Sequence, residues 1–141
     1  MTQQPYTKPI PVPQGESDYY WEKTKAHELW LRQCDDCNQA YFYPRDICPM
    51  CFSRNTSWIK ASGKGTLHTF AIVHRAPTPA FRDDAPFVVA MVDLEEGPRM
   101  PTNLVEVEPD PANIKVGMAV EVVFEDITDE ITLPKFKPAA V

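Results

Sequence analysis

The residues best suited to chemistry in this 141-residue chain are four cysteines that fall within 18 positions. They form two C-x2-C pairs, Cys34 with Cys37 and Cys48 with Cys51, separated by ten residues. Two such pairs can offer four thiolates in a tetrahedral array, which suits Zn²⁺ with Zn–S bonds of about 2.3 Å. We therefore predict a structural zinc site. A redox pair, a rubredoxin-like iron site and unrelated buried thiols are the alternatives that the spacing leaves open.

No catalytic set accompanies the cysteines. The chain lacks a G-x-S-x-G elbow, a P-loop, a G-x-G-x-x-G fingerprint and an H-E-x-x-H helix. Its three histidines, His27, His68 and His74, are far apart in the sequence. We expect them to pack at the surface or at an interface rather than to act as metal ligands or bases. A site closed by four thiolates keeps no position for a reacting water. We predict no catalytic residue and no enzyme that acts alone.

Short elements must position the cysteines. A period of two from Leu29 predicts a strand that runs into Cys34, and residues 57–59 lead out of the cysteine segment. Before them, residues 19–26 are predicted as a short aromatic helix behind an extended, proline-rich arm. The glycine-containing stretch 61–66 marks a boundary. The predicted domains are 1–26 (arm and helix), 27–62 (zinc ribbon) and 63–141 (barrel).

The second half of the chain is predicted to form a small barrel. The composition, with 15 Pro and only 5 Gly, favours short strands joined by stiff loops. Strand-like runs cover 66–74, 87–94, 103–107 and 119–124, with 131–136 as a possible fifth. About five short strands in a segment of this size are typical of an OB-fold. The predicted fold class is mostly β: a short N-terminal helix, a rubredoxin-like zinc ribbon and a C-terminal OB-fold barrel.

Charge and hydropathy exclude several function classes. Residues 1–62 hold 7 basic and 7 acidic side chains, whereas residues 63–141 hold 7 and 13, so the formal charge of −6 resides in the barrel half. A phosphate-binding surface needs the opposite balance, which argues against nucleic acid as a partner. No run is long enough to span a bilayer, and the first fifteen residues do not resemble a secretory signal. We expect a cytoplasmic protein, no membrane contact and reduced cysteines.

The loop 75–86 is the most suggestive feature outside the cysteines. Its three prolines predict an extended segment, with Phe81 in the middle and the basic residues Arg75 and Arg82 nearby. A stiff loop that presents an aromatic side chain binds a partner at a low ordering cost. A surface loop whose phenylalanine folds back on the barrel fits the sequence equally well.

Taken together, the motifs resemble a family of small zinc-ribbon plus OB-fold proteins that accompany thiolase-like enzymes in acyl-CoA metabolism. The resemblance covers about residues 19–138, and it depends on the order of its pieces more than on any one of them. The pieces are Tyr20-Trp21, the two knuckles, Tyr43-Pro44-Arg45, 62–66 (SGKGT), 69–73 (TFAIV), 86–90 (PFVVA), 93–97 (DLEEG), 116–120 (VGMAV) and 133–136 (LPKF). Asn38 stands where many ribbons have glycine, and asparagine tolerates the left-handed conformation.

The resemblance implies a noncatalytic accessory subunit of a thiolase-type complex, which helps to form or cover the acyl-CoA site and stabilises its partner. The residues expected to contact the partner or CoA are Tyr20, Trp21, Arg75, Phe81, Arg82 and Arg99. The arginines are chosen as candidates for the CoA phosphates by charge alone. A stand-alone acyl-CoA binder and a single-stranded nucleic-acid-binding OB module are the alternatives.

Overall fold

The computed structural model describes residues 6–139, so the first five residues of the predicted arm lie outside it. One helix, α1 (Asp18–Lys25), precedes eight strands. The strands are β1 (Trp30–Cys34), β2 (Ala40–Tyr41), β3 (Thr56–Lys60), β4 (Lys64–Val73), β5 (Phe87–Leu94), β6 (Arg99–Leu104), β7 (Ala119–Asp126) and β8 (Thr132–Pro138). Within the described part of the chain, no helix is long and apolar enough to cross a membrane.

Helix α1 begins and ends close to the predicted positions. Tyr20 and Thr24, one turn apart, are its buried residues. The helix stops because His27 adopts a left-handed conformation, with φ of 60°. The His27 and Glu28 amides then donate to carbonyls of the last turn, each at 2.9 Å. This pair of bonds is a Schellman cap, which turns the chain towards β1.

The ribbon is a three-stranded antiparallel sheet in the order β2-β1-β3. Along β1, Leu31 faces inward and is buried, while Trp30 and Arg32 face outward. Arg32 lies opposite Trp58 of β3, and its guanidinium is 4.9 Å from the centre of that indole ring. Such a cation–π contact stabilises the outer face of the sheet.

The second half closes into a five-stranded barrel in the order β4-β5-β6-β8-β7. This topology confirms the predicted OB-fold, and side chains such as Leu67, Val92, Val120 and Phe136 fill its interior. The same apolar core includes Leu29, which comes just before the ribbon's first strand. Ribbon and barrel therefore share one core.

Two predictions about the barrel are wrong in detail. The third strand is Arg99–Leu104 rather than 103–107, and Pro101 lies within it, opposite Met91. A proline can occupy a strand where its missing N–H leaves no gap in the ladder, but the sequence pattern treats it as a breaker. The loop 75–86 is not extended throughout, because Pro79–Asp84 forms a 3-10 turn. Proline's fixed φ suits the start of a helical turn.

Candidate functional site

The four cysteine sulfurs converge at the end of the ribbon. Each Sγ lies within 4.8 Å of the others. Cys34 Sγ is 3.5 Å from Cys51 Sγ, and Cys37 Sγ is 3.7 Å from Cys48 Sγ. Four sulfurs bound tetrahedrally to zinc at about 2.3 Å would be about 3.8 Å apart, so the observed spacing fits that ion.

Two turns of the same shape hold the cysteine pairs. In the first, the Asn38 amide donates to the Cys34 carbonyl at 2.9 Å, and in the second, the Phe52 amide donates to the Cys48 carbonyl at 2.9 Å. Both donors have left-handed backbones, with φ of 60° at Asn38 and 64° at Phe52. Asn38 therefore adopts the left-handed conformation that asparagine was predicted to tolerate. A left-handed backbone at a phenylalanine was not expected from the residue type.

The environment of the sulfurs differs from one to the next. Cys34 and Cys48 are fully buried, Cys37 is half-buried and Cys51 is exposed. Burial raises the pKa of Cys48, but the backbone amides of Cys51 and Met50 and the neighbouring thiols outweigh it and lower that pKa to about 7. The lowered pKa favours the thiolate, which is the form that binds metal.

The two less buried sulfurs hold their protons more tightly. A Ser53 amide favours the Cys51 thiolate, but the Cys34 sulfur, burial and the other thiols outweigh it and raise the pKa of Cys51 to about 12. At Cys37, an amide of Gln39 is outweighed in the same way, and the pKa rises. Both thiols must lose a proton when a metal binds.

Hydrogen bonds outside the ligand set fix the two turns. The Asp36 carboxylate accepts from the Ser53 hydroxyl and from Asn55 Nδ2, which ties the first turn to the chain after the second. Tyr41 is buried beside Cys34 and Cys48, and its hydroxyl donates to the Arg45 carbonyl at 2.6 Å. Such partners orient metal ligands before the ion arrives.

The helix residues predicted to face a partner lie in different environments. Tyr20 is 2% exposed, and its ring packs against those of Trp21, Phe42 and Tyr43. Trp21 is half-buried, and its Nε1–H donates to Tyr43 Oη at 2.7 Å. Tyr20 is therefore a core residue, and we leave it out of any contact surface. Trp21 retains a partly exposed edge.

Phe81 lies on the wall of a cavity of about 500 Å³. The cavity is bounded by the N-terminal arm from Tyr6 to Pro11 and by the barrel, and the ring of Phe81 is 6.0 Å from that of Phe87. An ion pair of 2.8 Å between Lys8 and Asp84 ties the arm to the turn that carries Phe81. The sequence did not indicate that the arm folds over the barrel, because its prolines carry no periodic pattern.

The three predicted arginines are not brought together with the cysteines. Arg75 and Arg82 are exposed on the loop beside the cavity, and neither forms an ion pair within residues 6–139. Arg99 Nε donates to the Asp93 carboxylate at 2.7 Å. Because Arg99 already has a carboxylate partner, it is the weakest candidate of the three for a phosphate.

Family models match most of the chain. Residues 21–57 match the rubredoxin-like zinc ribbon domain of ChsH2, and residues 58–125 match the C-terminal OB-fold domain of ChsH2. The chain belongs to the ChsH2 family. The matching domain is a rubredoxin-like zinc ribbon, and the four converging sulfurs of this chain fit a zinc ion. The predicted structural zinc is therefore confirmed.

Relatives of this ChsH2-family chain include scaffold proteins and parts of longer subunits. A DUF35 domain-containing scaffold protein of Methanocaldococcus jannaschii is 41% identical, over 75% of this chain and 78% of that protein. A protein of Thermomonospora curvata, named a probable enoyl-CoA hydratase alpha subunit, is 35% identical over 94% of this chain. The chain spans only 40% of the length of that subunit.

A solved structure matches this ChsH2-family chain along nearly its whole length. The structure is the Ltp2-ChsH2(DUF35) aldolase, and the matching chain has a TM-score of 0.79 with 34% sequence identity. The match covers 93% of this chain and 100% of that one. The helix, ribbon and barrel therefore recur together in a protein solved as part of an aldolase complex.

Zinc affinity of this ChsH2-family ribbon is expected to fall steeply as the pH drops. Metal binding needs thiolates, and the raised pKa values of Cys37 and Cys51 mean that at least two protons leave near pH 8. The affinity should thus fall at least a hundredfold per pH unit there, and more steeply below pH 7, where Cys48 also becomes protonated. Competition with a chromophoric chelator across pH 6.5–8.5 measures this slope, and a pH-independent affinity would contradict it.

Proposed function

We propose that this chain is a noncatalytic accessory subunit of a thiolase-like enzyme complex in acyl-CoA metabolism. The observation that carries the proposal is the full-length match to the ChsH2(DUF35) chain of the Ltp2-ChsH2(DUF35) aldolase. The name of the hydratase alpha subunit that contains a matching region also refers to a CoA thioester. In both proteins the matching region is one part of a larger assembly or chain.

The chemistry of the described residues supports a noncatalytic role. Between residues 6 and 139, the donor atoms of metal-ligating side chains converge in one cluster, the four-cysteine site. Its four thiolates would fill every tetrahedral position around a zinc ion. His27 and His68 lie beside Asp126 and Asp93, and both members of each pair are exposed. The reacting groups of the complex would then belong to the partner enzyme.

The proposed contact with acyl-CoA lies near the loop 75–86. Arg75 and Arg82 are exposed basic residues of an acidic barrel half, and Phe81, which lines the cavity, comes between them in the sequence. Guanidinium groups bind phosphates through paired hydrogen bonds, and the apolar part of the mixed cavity wall, where Phe81 and Phe87 lie, suits the uncharged part of a thioester. We therefore assign Arg75 and Arg82 to the CoA phosphates at a site shared with the partner.

The groove that an OB-fold uses for nucleic acid argues against the single-strand alternative. It lies over β4, β5 and β6, encloses about 530 Å³, and carries no charged side chain among its lining residues. These residues are Thr69, Phe70, Ala71, Val89, Ala90, Met91, Pro101, Thr102 and Asn103. Tracking a phosphate backbone needs a basic groove.

Affinity capture of a tagged copy from its own cells tests the proposed function. We expect a thiolase-like chain to co-purify in a one-to-one ratio through size-exclusion chromatography, and the purified complex to turn over an acyl-CoA. The measurement is mass spectrometry of the stoichiometric bands. A chain that elutes alone and binds acyl-CoA by itself would contradict the proposal and favour the stand-alone binder.

The same complex tests the arginine assignment. Arg75→Gln combined with Arg82→Gln should raise the KM for acyl-CoA about tenfold and leave kcat unchanged, because exposed charge contacts contribute roughly 1 kcal/mol. Lys115→Gln removes one exposed positive charge elsewhere on the barrel and is the control. Equal KM values for the double variant and the control would rule out the phosphate contact.

A further inference from the structure

The N-terminal arm is fixed where it joins α1. Ser17 is 3% exposed, its hydroxyl donates to the Gln14 carbonyl at 3.0 Å, and the Gln14 amide donates to that hydroxyl at 3.0 Å. The Glu16 carboxylate accepts from the Asp46 amide of the ribbon at 2.9 Å. Between these anchors Gly15 has a φ of 21°, a backbone angle that favours glycine. The arm therefore leaves the folded body at a defined point.

Before this point the arm is held by few contacts. Within the part of the chain that the structure describes, residues 6–13 belong to no helix or strand and form no backbone–backbone hydrogen bond. Prolines at positions 9, 11 and 13 remove N–H donors from this stretch. Ile10 and Val12 are 45% and 74% exposed. We call residues 6–13 the strap, and a segment held so loosely opens at a low cost in free energy.

Among residues 6–139, one ion pair ties the strap to the barrel. Lys8 Nζ lies 2.8 Å from the carboxylate of Asp84, on the turn that carries Phe81. This hydrogen bond raises the pKa of Lys8, so the amine stays charged at neutral pH. The two side chains are 24% and 45% exposed, and an ion pair at such a position stabilises a contact only modestly. We call the pair of Lys8 with Asp84 the latch.

The strap does not pack directly onto the barrel. The cavity of about 500 Å³ separates the two, and its volume is within the usual range for a ligand pocket. Protein interiors pack with few voids larger than a water molecule. A segment that served only to cover the barrel would pack against it and fill this volume. The geometry therefore favours a strap that encloses a ligand.

The charges in the cavity wall indicate an uncharged ligand. The wall carries two lysines and three carboxylates, a net charge of −1. Lys8 is paired with Asp84 in the latch, and Lys135 is paired with Glu125. The remaining charged residue of the wall is Glu106, so no lining residue offers a free positive charge to an acid. The apolar lining residues include Phe81, Phe87, Val88, Leu104, Val105 and Leu133.

We propose that the strap is a gate over this cavity, which the latch holds closed and which opens to admit an uncharged acyl chain. The inference rests on the proposed function, since it takes the acyl group of the CoA thioester as the ligand. It adds the element that controls entry to that site. It also restricts the substrate class, because an acyl group that ends in a carboxylate would meet a wall with no free positive charge.

The kinetics of ligand entry test the latch on the purified chain. The probe is N-phenyl-1-naphthylamine, an uncharged apolar fluorophore, which is mixed with the protein by stopped flow. Lys8→Gln and Asp84→Asn should each raise the association and dissociation rates about fivefold, the upper end for a partly exposed ion pair. The Kd should change by less than about twofold, because the latch stabilises the closed strap equally with and without the probe.

Two comparisons separate a gate from other roles. The variant with both substitutions should be no faster than either single variant, because each substitution removes the same ion pair. Lys115→Gln removes a positive charge elsewhere on the barrel and should leave both rates unchanged. A faster dissociation with an unchanged association rate would identify the strap as a fixed wall and would overturn the gate.

Two ligands of equal chain length test the ligand class. 1-Octanol should displace the bound probe at a concentration at least about tenfold lower than octanoate does, because the wall has no free cation for the carboxylate. Octanoate that competed as well as octanol, or better, would overturn the restriction to uncharged chains.

Limited proteolysis detects opening without any ligand. Chymotrypsin cleaves after aromatic residues, and Tyr6 of the strap lines the cavity. Asp84→Asn leaves the cleaved sequence unchanged and should speed cleavage after Tyr6 about fivefold, because the cleavage rate follows the population of the open form. Cleavage after Phe52, which is 78% exposed, is the internal control. Equal cleavage after Tyr6 in both proteins would overturn the latch. None of these measurements involves the partner enzyme, so their failure differs from a capture experiment that yields no thiolase-like chain.

Discussion

Replacing Cys48 with serine is expected to abolish zinc binding and unfold the zinc-binding end of the ribbon, while the barrel keeps its strands. Cys48 is fully buried at the metal site, and a serine hydroxyl is not ionised at neutral pH. The apolar cluster around the site contains only Cys34, Tyr41 and Cys48, with Cys37 packed against it. So small a core cannot hold the turns alone, whereas zinc binding contributes about 10–16 kcal/mol in zinc-finger peptides.

Two measurements check this result. Elemental analysis should show about one zinc per chain for the wild type and less than a tenth of that for Cys48→Ser. Hydrogen exchange should become fast over residues 35–55 and remain slow in strands β4 to β8, because the barrel has its own interior. Pro49→Ala, at an exposed position in the same turn, should behave as the wild type. A variant that kept its zinc would refute the four-ligand site.

The features that the sequence predicted well are those encoded over short distances. Each pair of metal ligands is three residues apart, so the turn that brings two sulfurs together is local. The barrel strands β4, β5 and β7 were found because alternating apolar runs signal a buried sheet face wherever they occur. Strand β6 was misplaced because it contains Pro101, and proline normally interrupts a strand. The pairing of Pro101 with Met91 shows that the proline lies within the sheet.

Features that depend on tertiary packing were not accessible from the sequence. Helix α1 carries three consecutive aromatic residues, which point in three directions, so composition does not show that Tyr20 faces the core and Trp21 an edge. The arm lies over the barrel through the ion pair of Lys8 with Asp84, two residues that are far apart in the chain. The exposure of Phe52 is likewise a property of the folded turn, because a phenylalanine in a sequence normally predicts burial.

The shared core fixes the ribbon strands against the barrel. Leu29 and Leu31 of the ribbon pack in the same cluster as the barrel residues Val92 and Phe136. The strands of the ribbon and the barrel are therefore one packed body rather than two linked domains. A rigid body of this kind would lose little binding energy to internal motion when it binds a partner.

Tyr20→Ala is expected to lower the free energy of unfolding by about 3–5 kcal/mol, the usual cost of deleting a large buried aromatic side chain. The Tyr20 ring is 2% exposed and packs against Phe42 and Tyr43 in the loop between the cysteine pairs. Deleting it therefore leaves an empty space where the helix and the ribbon meet. Urea denaturation followed by tryptophan fluorescence measures the change, because Trp21 adjoins Tyr20.

Tyr20→Phe is the matched control, and it separates a core role from a contact role. It keeps the ring and removes only a hydroxyl that burial holds protonated by raising its pKa. We expect it to change stability by less than about 1 kcal/mol and to leave partner affinity at the wild-type value. A folded Tyr20→Phe that lost its partner would show that the hydroxyl is a contact, against the placement of this residue in the core. Equal affinity would confine the contacts of α1 to its exposed edge, where Trp21 lies.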